Sequence, residues 1–503
     1  MNSSQLLARN ARKYPHAEAV VGMGERYTYE EVDKLVNHFA YGLREKGIVE
    51  GDKVVLYMPN VPEFVITYFA VQRLGAVIVP INSELTLPEI EYVLEHSDSK
   101  ALITHDFVFE AVEDLESNLL LIKTGGATGN WIEFNSMLAE VDIQIDCDLP
   151  ASSESTILYT SGTTGKPKGV LHSYQSVLAG AHMMCVELEM KPESRLFAMM
   201  PLSHSAALHL SFMAGMLVGA TNVLTPRFTP ELLVETIDEE KITHFFGPPV
   251  GYLATAGHPK LMEADLSSMK WWGYGGSPVS KPEVEYIQKN FRTNDLVCIY
   301  GLTESGSNGT LLLADEHFMK AGSIGKRAAL HSEIRIVNAI GNDVEVDEVG
   351  EVFLRGEGLM LGYYKDAEAT AHAFIGDWLR TEDLAKVDAE GFMWLVDRKT
   401  DLIISGGKNI YPKEIEDVLL SHPAIKEAAV IGVPDQYWGE IVKAYFVATE
   451  PLPIDEIKGI VHRNLAHYKM PRLYEQVEEL PRNASGEVLK QVLRESMKKD
   501  WPK

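Results

Sequence analysis

The chain has 503 residues, of which 46% are hydrophobic and 23% charged, and its formal net charge is −26. That length exceeds what one hydrophobic core serves, and the composition is that of a folded globular protein rather than a disordered or fibrous one. So acidic a chain repels nucleic acid and anionic membrane in bulk, which excludes both as general partners.

Cys147, Cys185 and Cys298 are isolated and odd in number, without the spacing of a zinc site, and imply a reducing, cytoplasmic setting. Residues 1–15 contain no apolar run of signal-peptide length. In chain order, the run Val54 to Met58 predicts a strand, residues 61–74 a helix, and Val77 to Pro80 a second strand. Further strands are expected at 101–104, 157–159, 243–246, 269–273 and 297–300. The longest uncharged run, residues 206–226, contains His209, Ser211, Thr221 and Asn222 and reads as a buried helix leading into a strand rather than a membrane span. Strands alternating with helices predict an α/β fold with largely parallel sheets. From 333 to 356 alternating strand patterns with turns at Gly341-Asn342 and Gly350 predict a small β-rich subdomain. A helix over 413–421, strands at 428–433 and 442–449 and a helix over 454–465 predict a separate α+β module. The expected domains are 1–398 and 399–503, with a ligand cleft between them.

The densest chemistry lies in Tyr159-Thr160-Ser161-Gly162-Thr163-Thr164-Gly165-Lys166-Pro167-Lys168-Gly169. Glycines let backbone N–H groups turn toward an anion, hydroxyls donate to its oxygens, and lysine neutralises charge, so the stretch reads as a phosphate cradle. It is not a Walker A loop, because Thr160 stands where the first glycine belongs and Pro167 follows the lysine. Thr303 and Glu304, in Tyr300-Gly301-Leu302-Thr303-Glu304, fall just past a predicted strand, at the carboxyl edge where open α/β sheets bind ligands. A hydroxyl there donates to phosphate, and a carboxylate suits Mg²⁺ beside phosphate oxygens. The same pair also suits an ordinary helix start.

The cradle resembles the signature loop of the adenylate-forming superfamily, and the remaining motifs follow in that family's order. They are Pro201 to His204, Gly273-Tyr274-Gly275-Gly276-Ser277, Tyr300 to Glu304, Asp383, Asp397-Arg398, and Gly406-Gly407 with Tyr411-Pro412. The likeness covers nearly the whole chain and is nearest to bacterial fatty-acyl-CoA synthetases. It implies an N-terminal AMP- and acyl-binding domain, a mobile C-terminal lid, and ATP, Mg²⁺ and CoA acting on a small carboxylic acid. By resemblance, Thr160 to Gly165, Lys168, Thr303 and Gly301 face phosphate, Glu304 holds the metal, and Tyr300, Gly275, Gly276 and Ser277 line the adenine and carboxylate pockets. The three glycines of that segment are expected to leave room for the acyl group. His204 takes the position beside the carboxylate, Asp383 and Arg398 meet ribose or phosphate, and Gly406 and Gly407 border the CoA channel. A homodimer is compatible with the family.

Three positions depart from the pattern. Thr381-Glu382-Asp383 replaces Thr-Gly-Asp, and Thr400 replaces the charged hinge residue. In Pro481-Arg482-Asn483-Ala484-Ser485-Gly486-Glu487-Val488-Leu489-Lys490, Glu487 stands where the family has the lysine that activates adenylation. Losing one placed donor costs about 10²–10³ in rate, or ~3–4 kcal/mol. A like charge 4 Å from phosphate adds about 4 kcal/mol at an effective dielectric of 20. Either Lys490 substitutes, through local helix or a register shift, or the chain is a weakened relative that binds nucleotide or acyl-CoA without the full chemistry. A peptide-synthetase adenylation domain fits less well, since the sequence shows no carrier domain and no acidic residue placed for an amino group. The pocket-forming segments are apolar and favour a hydrophobic acid, fatty or aromatic.

Overall fold

The computed structural model describes residues 2–138, 140–141, 143–160, 167–276, 279–399, 401–405, 408–435, 437–465, 467–482 and 487–499. The chain divides into two compact units, Met1–Ile334 with Leu354–Leu379, and Arg335–Phe353 with Arg380–Lys503. The boundary expected at 398/399 lies inside the second of these.

Two sheets organise the first unit. In the eight-stranded sheet the spatial order is Gly362–Tyr363, Lys168–Ser173, Glu154–Thr160, Val77–Ile81, Lys53–Tyr57, Ser99–Thr104, Leu120–Lys123 and Ile132–Glu133. It is parallel from Glu154–Thr160 onward and antiparallel at the other edge. Its central strands read as unbroken apolar runs because both faces are covered, and Val54, Val55, Leu56, Ile78, Val79 and Leu102 are fully buried. The nine-stranded sheet runs Arg327–Ala328, Thr310–Leu312, Leu296–Tyr300, Trp271–Gly275, His244–Gly247, Arg195–Ala198, Thr221–Leu224, Glu18–Gly22 and Glu25–Thr28. Its six strands from Leu296–Tyr300 to Glu18–Gly22 are parallel.

The helix predicted at 61–74 forms as Pro62–Arg73, started by the proline whose missing N–H has no role in a first turn. It is buried on nearly every side, and its two longest buried polar side chains are paired: Arg73 with Asp33, and Gln72 with Ser3 and Ser155. Phe64 and Phe69 pack with Leu210 and Phe212 in the main core. The uncharged run at 206–226 becomes a π-helix, Ala206–Phe212, an α-turn, Met213–Val218, and the strand Thr221–Leu224. Among the described residues no helix is long and apolar enough to cross a membrane.

In the second unit, Ile425–Asp435 and Gly439–Ala448 pair antiparallel, and Leu473–Gln476 joins the latter in parallel. Helices Pro412–Leu420 and Ile454–Asn464 bury Ile415, Leu419, Ile457 and Val461 against Phe446 and Val430. The β-rich segment forms strands Ser332–Val337 and Val349–Gly356, with Val337 bridged to Asp343 around the turn at Gly341. Strand Trp378–Val387 pairs antiparallel with Met393–Arg398 and sets Asp383 opposite Arg398.

Glu382, which replaces the family glycine, keeps a glycine's backbone: its φ is +60°, while its carbonyl accepts from Lys399 N–H at 2.7 Å. A side-chain-bearing residue is disfavoured there by roughly 1–2 kcal/mol. Glu382→Gly is therefore expected to raise the unfolding free energy by about 1 kcal/mol, after the greater freedom of glycine in the unfolded chain is deducted. The measurement is the urea midpoint at constant slope. A lower midpoint would mean that the glutamate side chain contributes more than its backbone strain removes.

Candidate active site

The expected phosphate cradle falls in sequence between two strands that pair antiparallel. Thr160 ends one strand and pairs in register with Lys168, which starts the next. Ser161, Gly162, Thr163, Thr164 and Gly165 lie outside the described residues. The Lys168 ammonium stands 4.9 Å from the centre of the Tyr363 ring, and Tyr363 donates its phenol hydrogen to Glu304 Oε1 at 2.8 Å. Tyr363 reaches this place because Gly362–Tyr363 pairs with Val170 and Leu171. One aromatic side chain thus ties the cradle lysine to the carboxylate expected to hold the metal.

Thr303 and Glu304 belong to a single 3₁₀ turn, Thr303–Ser305, just past strand Leu296–Tyr300. His172 Nε2 lies 2.8 Å from the Thr303 carbonyl oxygen, and Met360 N–H donates to the Glu304 carbonyl at 2.8 Å. Burial pushes His172 down to about 4, against the pull of the Thr303 carbonyl, so the ring is neutral at pH 7. A carbonyl only accepts, so Nε2 carries the proton and Nδ1, 3.1 Å from Ser176 Oγ, is the bare nitrogen. The turn can be this tight because residue 301 is glycine: a Cβ there would lie 2.4 Å from the Ser307 carbonyl carbon.

Tyr300 closes its strand almost fully buried. The glycine segment differs from expectation. A Cβ on Gly275 would meet Ile299 O at 2.3 Å, and one on Gly273 the Phe246 ring at 2.9 Å, so these glycines serve strand packing and their space is already filled. Only Gly276 opens onto free space, and Ser277 lies outside the described residues. His204 precedes the π-helix, with Nε2 sealed from solvent and no hydrogen-bond partner, and burial lowers its pKa. It is a neutral imidazole at pH 7, able to hydrogen-bond but not to supply positive charge.

In the second unit, Arg398 Nε lies 3.4 Å from Asp383 Oδ1, and its Nη2 lies 3.4 Å from Glu487 Oε1. Glu487 lies next to Val488, which is bridged to Arg482, and Leu489 N–H donates to the Pro481 carbonyl at 2.8 Å. Helix Lys490–Lys499 begins only at Lys490, so the two residues share no helix. The Lys490 ammonium sits 2.8 Å from Glu416 Oε1 and 4.0 Å from Asp401 Oδ2, and Arg494 takes the other Asp401 oxygen at 2.6 Å. Burial pulls the Lys490 pKa down, but Glu416, Asp397 and Asp401 together outweigh it and leave the net shift upward. Burial likewise lifts the neighbouring Asp397 to about 6. Thr400, Gly406 and Gly407 lie outside the described residues.

The same unit carries a cleft of about 540 Å³ lined by Ser405, Lys408, Trp438, His467, Tyr468 and Arg472 among others, with no acidic side chain in its described wall. Lys408 stands 4.4 Å over the Tyr468 ring, and the Arg472 guanidinium 4.5 Å over Trp438. Aromatic faces beside cations suit a phosphorylated base. The adjacent aromatic and basic residues in Tyr437-Trp438 and Tyr468-Lys469 were the available signal in the sequence.

A nucleotide-type hairpin, a Thr-Glu turn at a sheet's carboxyl edge and a following α+β unit define an adenylate-forming enzyme. The chain belongs to the AMP-binding enzyme family, whose profile matches residues 7–364, with the AMP-binding enzyme C-terminal domain matching 414–487. It is an enzyme of the acid–thiol ligase class. It is 35% identical over 494 residues to a feruloyl-CoA synthase of Amycolatopsis sp, with 97% of each chain covered. It is 35% identical over 511 residues to a long-chain-fatty-acid–CoA ligase of Mycobacterium tuberculosis, with 100% of each covered. Among solved structures, an anthranilate CoA ligase in complex with anthranoyl-AMP superposes with a TM-score of 0.89 at 28% identity, covering 99% of this chain and 97% of that one.

Two outcomes follow from this geometry. His172 and His244 are both pushed by burial to about 4 in the folded state, against an unfolded value of 6.5. Between those values the unfolded chain binds more protons, so stability is complete above about pH 6.5 and is lost as pH falls toward 4. The loss expected is about 3 kcal/mol per ring, and His172→Gln should remove its share from the pH dependence of denaturant unfolding; an unchanged profile would contradict the assignment. Lys490→Met should lower stability by about 3–5 kcal/mol, because it strands buried Glu416, whereas Lys490→Arg should retain most of it. A melting temperature unmoved by Lys490→Met would free the lysine from this structural role.

Proposed function

We propose that this enzyme joins a hydrophobic carboxylic acid, fatty or aromatic, to CoA in two ATP-driven steps. The carboxylate attacks the α-phosphorus of ATP, giving acyl-adenylate and pyrophosphate. The CoA thiol then loses its proton as it attacks the acyl carbon, and AMP leaves. The observation that carries this reading is the Lys168–Tyr363–Glu304 arrangement beside Thr303, which aligns a cation, a hydroxyl and a carboxylate at one sheet edge. Catalysis of this kind rests on positioning and charge neutralisation, with no covalent enzyme intermediate.

In this reading Lys168 and the segment Thr160 to Gly165 hold the phosphates, Thr303 donates to the α-phosphate and Asp383 accepts from the ribose hydroxyls. Glu304 is the residue to hold Mg²⁺. Among the described residues no cluster of three His, Cys, Asp or Glu side chains forms a metal cage, which suits an ion that leans on one carboxylate, substrate phosphates and water. When bound, the ion supplies charge neutralisation at the phosphate oxygens. The basic aromatic cleft around Trp438 and Tyr468 is the candidate seat for the nucleotide of CoA. Rotation of the second unit between steps is part of the same proposal.

Glu487 bears on the first step. Its carboxylate engages Arg398, the residue expected at ribose or phosphate, instead of offering an ammonium. Adenylation is therefore slow. The test is pyrophosphate release with ATP, Mg²⁺ and a panel of fatty and aromatic acids, with and without CoA. Glu487→Lys is expected to raise the rate about 10²–10³-fold. An equal rate in both proteins would remove Glu487 from the reaction. No release from either, together with tight ATP or acyl-CoA binding, would replace the ligase with a binding protein, the reading that Glu487, Glu382 and Thr400 together favour.

A further inference from the structure

Opposite charges on flexible stems, held near each other in a part-buried site, attract and tend to pair. The first unit carries such charges in Lys168 and Glu304, both part-buried. Among the described residues the two make no ion pair with each other, and both meet the side chain of Tyr363 instead. The Lys168 ammonium stands 4.9 Å from the ring centre, and the phenol donates to Glu304 Oε1 at 2.8 Å. Tyr363 carries no assigned part in the two-step reaction.

The tyrosine is fixed from several sides. Its N–H donates at 2.9 Å to Thr370 Oγ1, on helix Ala367–Ala373. Leu361 N–H donates to Leu171 O at 2.8 Å and Tyr364 N–H to Gly169 O at 2.7 Å, which ties the segment to the strand that begins with Lys168. Met360 N–H, from the same segment, binds the Glu304 carbonyl at 2.8 Å. Glycine at 362 permits the approach: its φ is +152°, and a Cβ there would lie 2.9 Å from Thr370 Cγ2. One short segment therefore grips both the lysine's strand and the carboxylate's turn. Tyr364 provides the contrast. Side chains alternate along an extended segment, and the Tyr364 hydroxyl meets Asp98 at 3.4 Å while Lys53 stands 5.4 Å over its ring. Neither Asp98 nor Lys53 belongs to the reacting edge.

The two ends of Tyr363 suit the two charges differently. An aromatic face attracts an ammonium through its quadrupole and leaves its charge uncancelled. A phenol donates one hydrogen bond, whereas a carboxylate accepts about four, so Glu304 keeps acceptor capacity for a cation. A direct Lys168–Glu304 pair would turn on each other the charge expected at phosphate and the charge expected at Mg²⁺.

We propose that Tyr363 is a positioning residue that keeps Lys168 and Glu304 as two separate charges, its ring face holding the cation and its hydroxyl the carboxylate, before the nucleotide and its metal enter. This rests on the ligase reading above and adds to it the group that prepares the site. Partners that hydrogen-bond a metal-binding carboxylate orient it, and their loss weakens the metal about 10–100-fold.

The test reads binding rather than turnover, so slow adenylation does not obscure it. The probe is α,β-methylene-ATP, whose α–β link cannot be cleaved, titrated into the intact chain by calorimetry in EDTA and then across a range of Mg²⁺ concentrations. Every protein meets the same ligand, so the ligand's own affinity for Mg²⁺ cancels between them. Tyr363→Phe keeps the ring; it should leave metal-free affinity within about twofold and raise the half-saturating Mg²⁺ about 10–100-fold. Tyr363→Leu should in addition weaken metal-free binding about fivefold, as Lys168 turns to Glu304. Glu304→Gln should then restore more affinity in the Tyr363→Leu background than it adds to the wild type, because it removes the group that captured the lysine. Tyr363→Phe differs from the native protein by one oxygen, so the central comparison does not depend on the larger truncation. An unchanged Mg²⁺ requirement in Tyr363→Phe, an equal loss with and without the metal, or equal gains from Glu304→Gln in both backgrounds would overturn the proposal. A wild-type chain that binds the analogue under neither condition would instead overturn the ligase reading beneath it.

Discussion

A hydrogen bond from a neutral histidine to a backbone carbonyl holds the Thr303–Glu304 edge of the first unit in place. His172 Nε2 donates to Thr303 O, Met360 N–H donates to Glu304 O, and the Tyr363 hydroxyl donates to the Glu304 carboxylate. The turn between these anchors is too tight for any residue but glycine at 301. Remove the histidine contact and the hydroxyl and carboxylate expected to meet phosphate lose their common frame. Because the ring is buried and uncharged, the bond is directional and brings no positive charge to the turn.

The second unit is organised by charge. Lys490, Asp401, Glu416 and Arg494 form one knot, and Arg398 draws on Asp383 and Glu487 in another arrangement. The two lie only three residues apart in sequence at Glu487 and Lys490, yet they serve different ends. Within the knot the lysine is surrounded by carboxylates, and drawing it out would leave Glu416 buried against an uncompensated charge. An acidic chain that must bind the anions ATP and CoA needs local cations, and Lys408 and Arg472 are two that stand over aromatic rings.

Glu382 and Glu487 show how a departure from a family pattern is read physically. At 382 the backbone stays left-handed despite the side chain, so the substitution strains a local conformation and leaves the strand register intact. At 487 the change is one of charge, and the carboxylate stands 3.4 Å from Arg398 Nη2.

Much of this was legible along the chain. The apolar runs at 54–58, 77–80 and 297–300 become central strands because parallel strands covered on both faces need uninterrupted hydrophobicity. The helix at 61–74 and the helix-to-strand run at 206–226 follow from periodicity and from the absence of charge. Thr303, Glu304 and Lys168 were visible as chemistry-bearing types next to predicted strand ends. Tyr363 and His172 were not, because each acts through a partner more than fifty residues away, which local pattern does not carry. The glycines at 273 and 275 looked like room for a ligand, while packing against Phe246 and Ile299 takes that space. Sequence alone determined the elements, the family and the types of groups at the reacting edge, since those depend on local propensity and short spacing. Only the tertiary structure decided which groups are paired, which are neutral and which are enclosed without a partner, because burial and hydrogen bonding are properties of distant segments brought together.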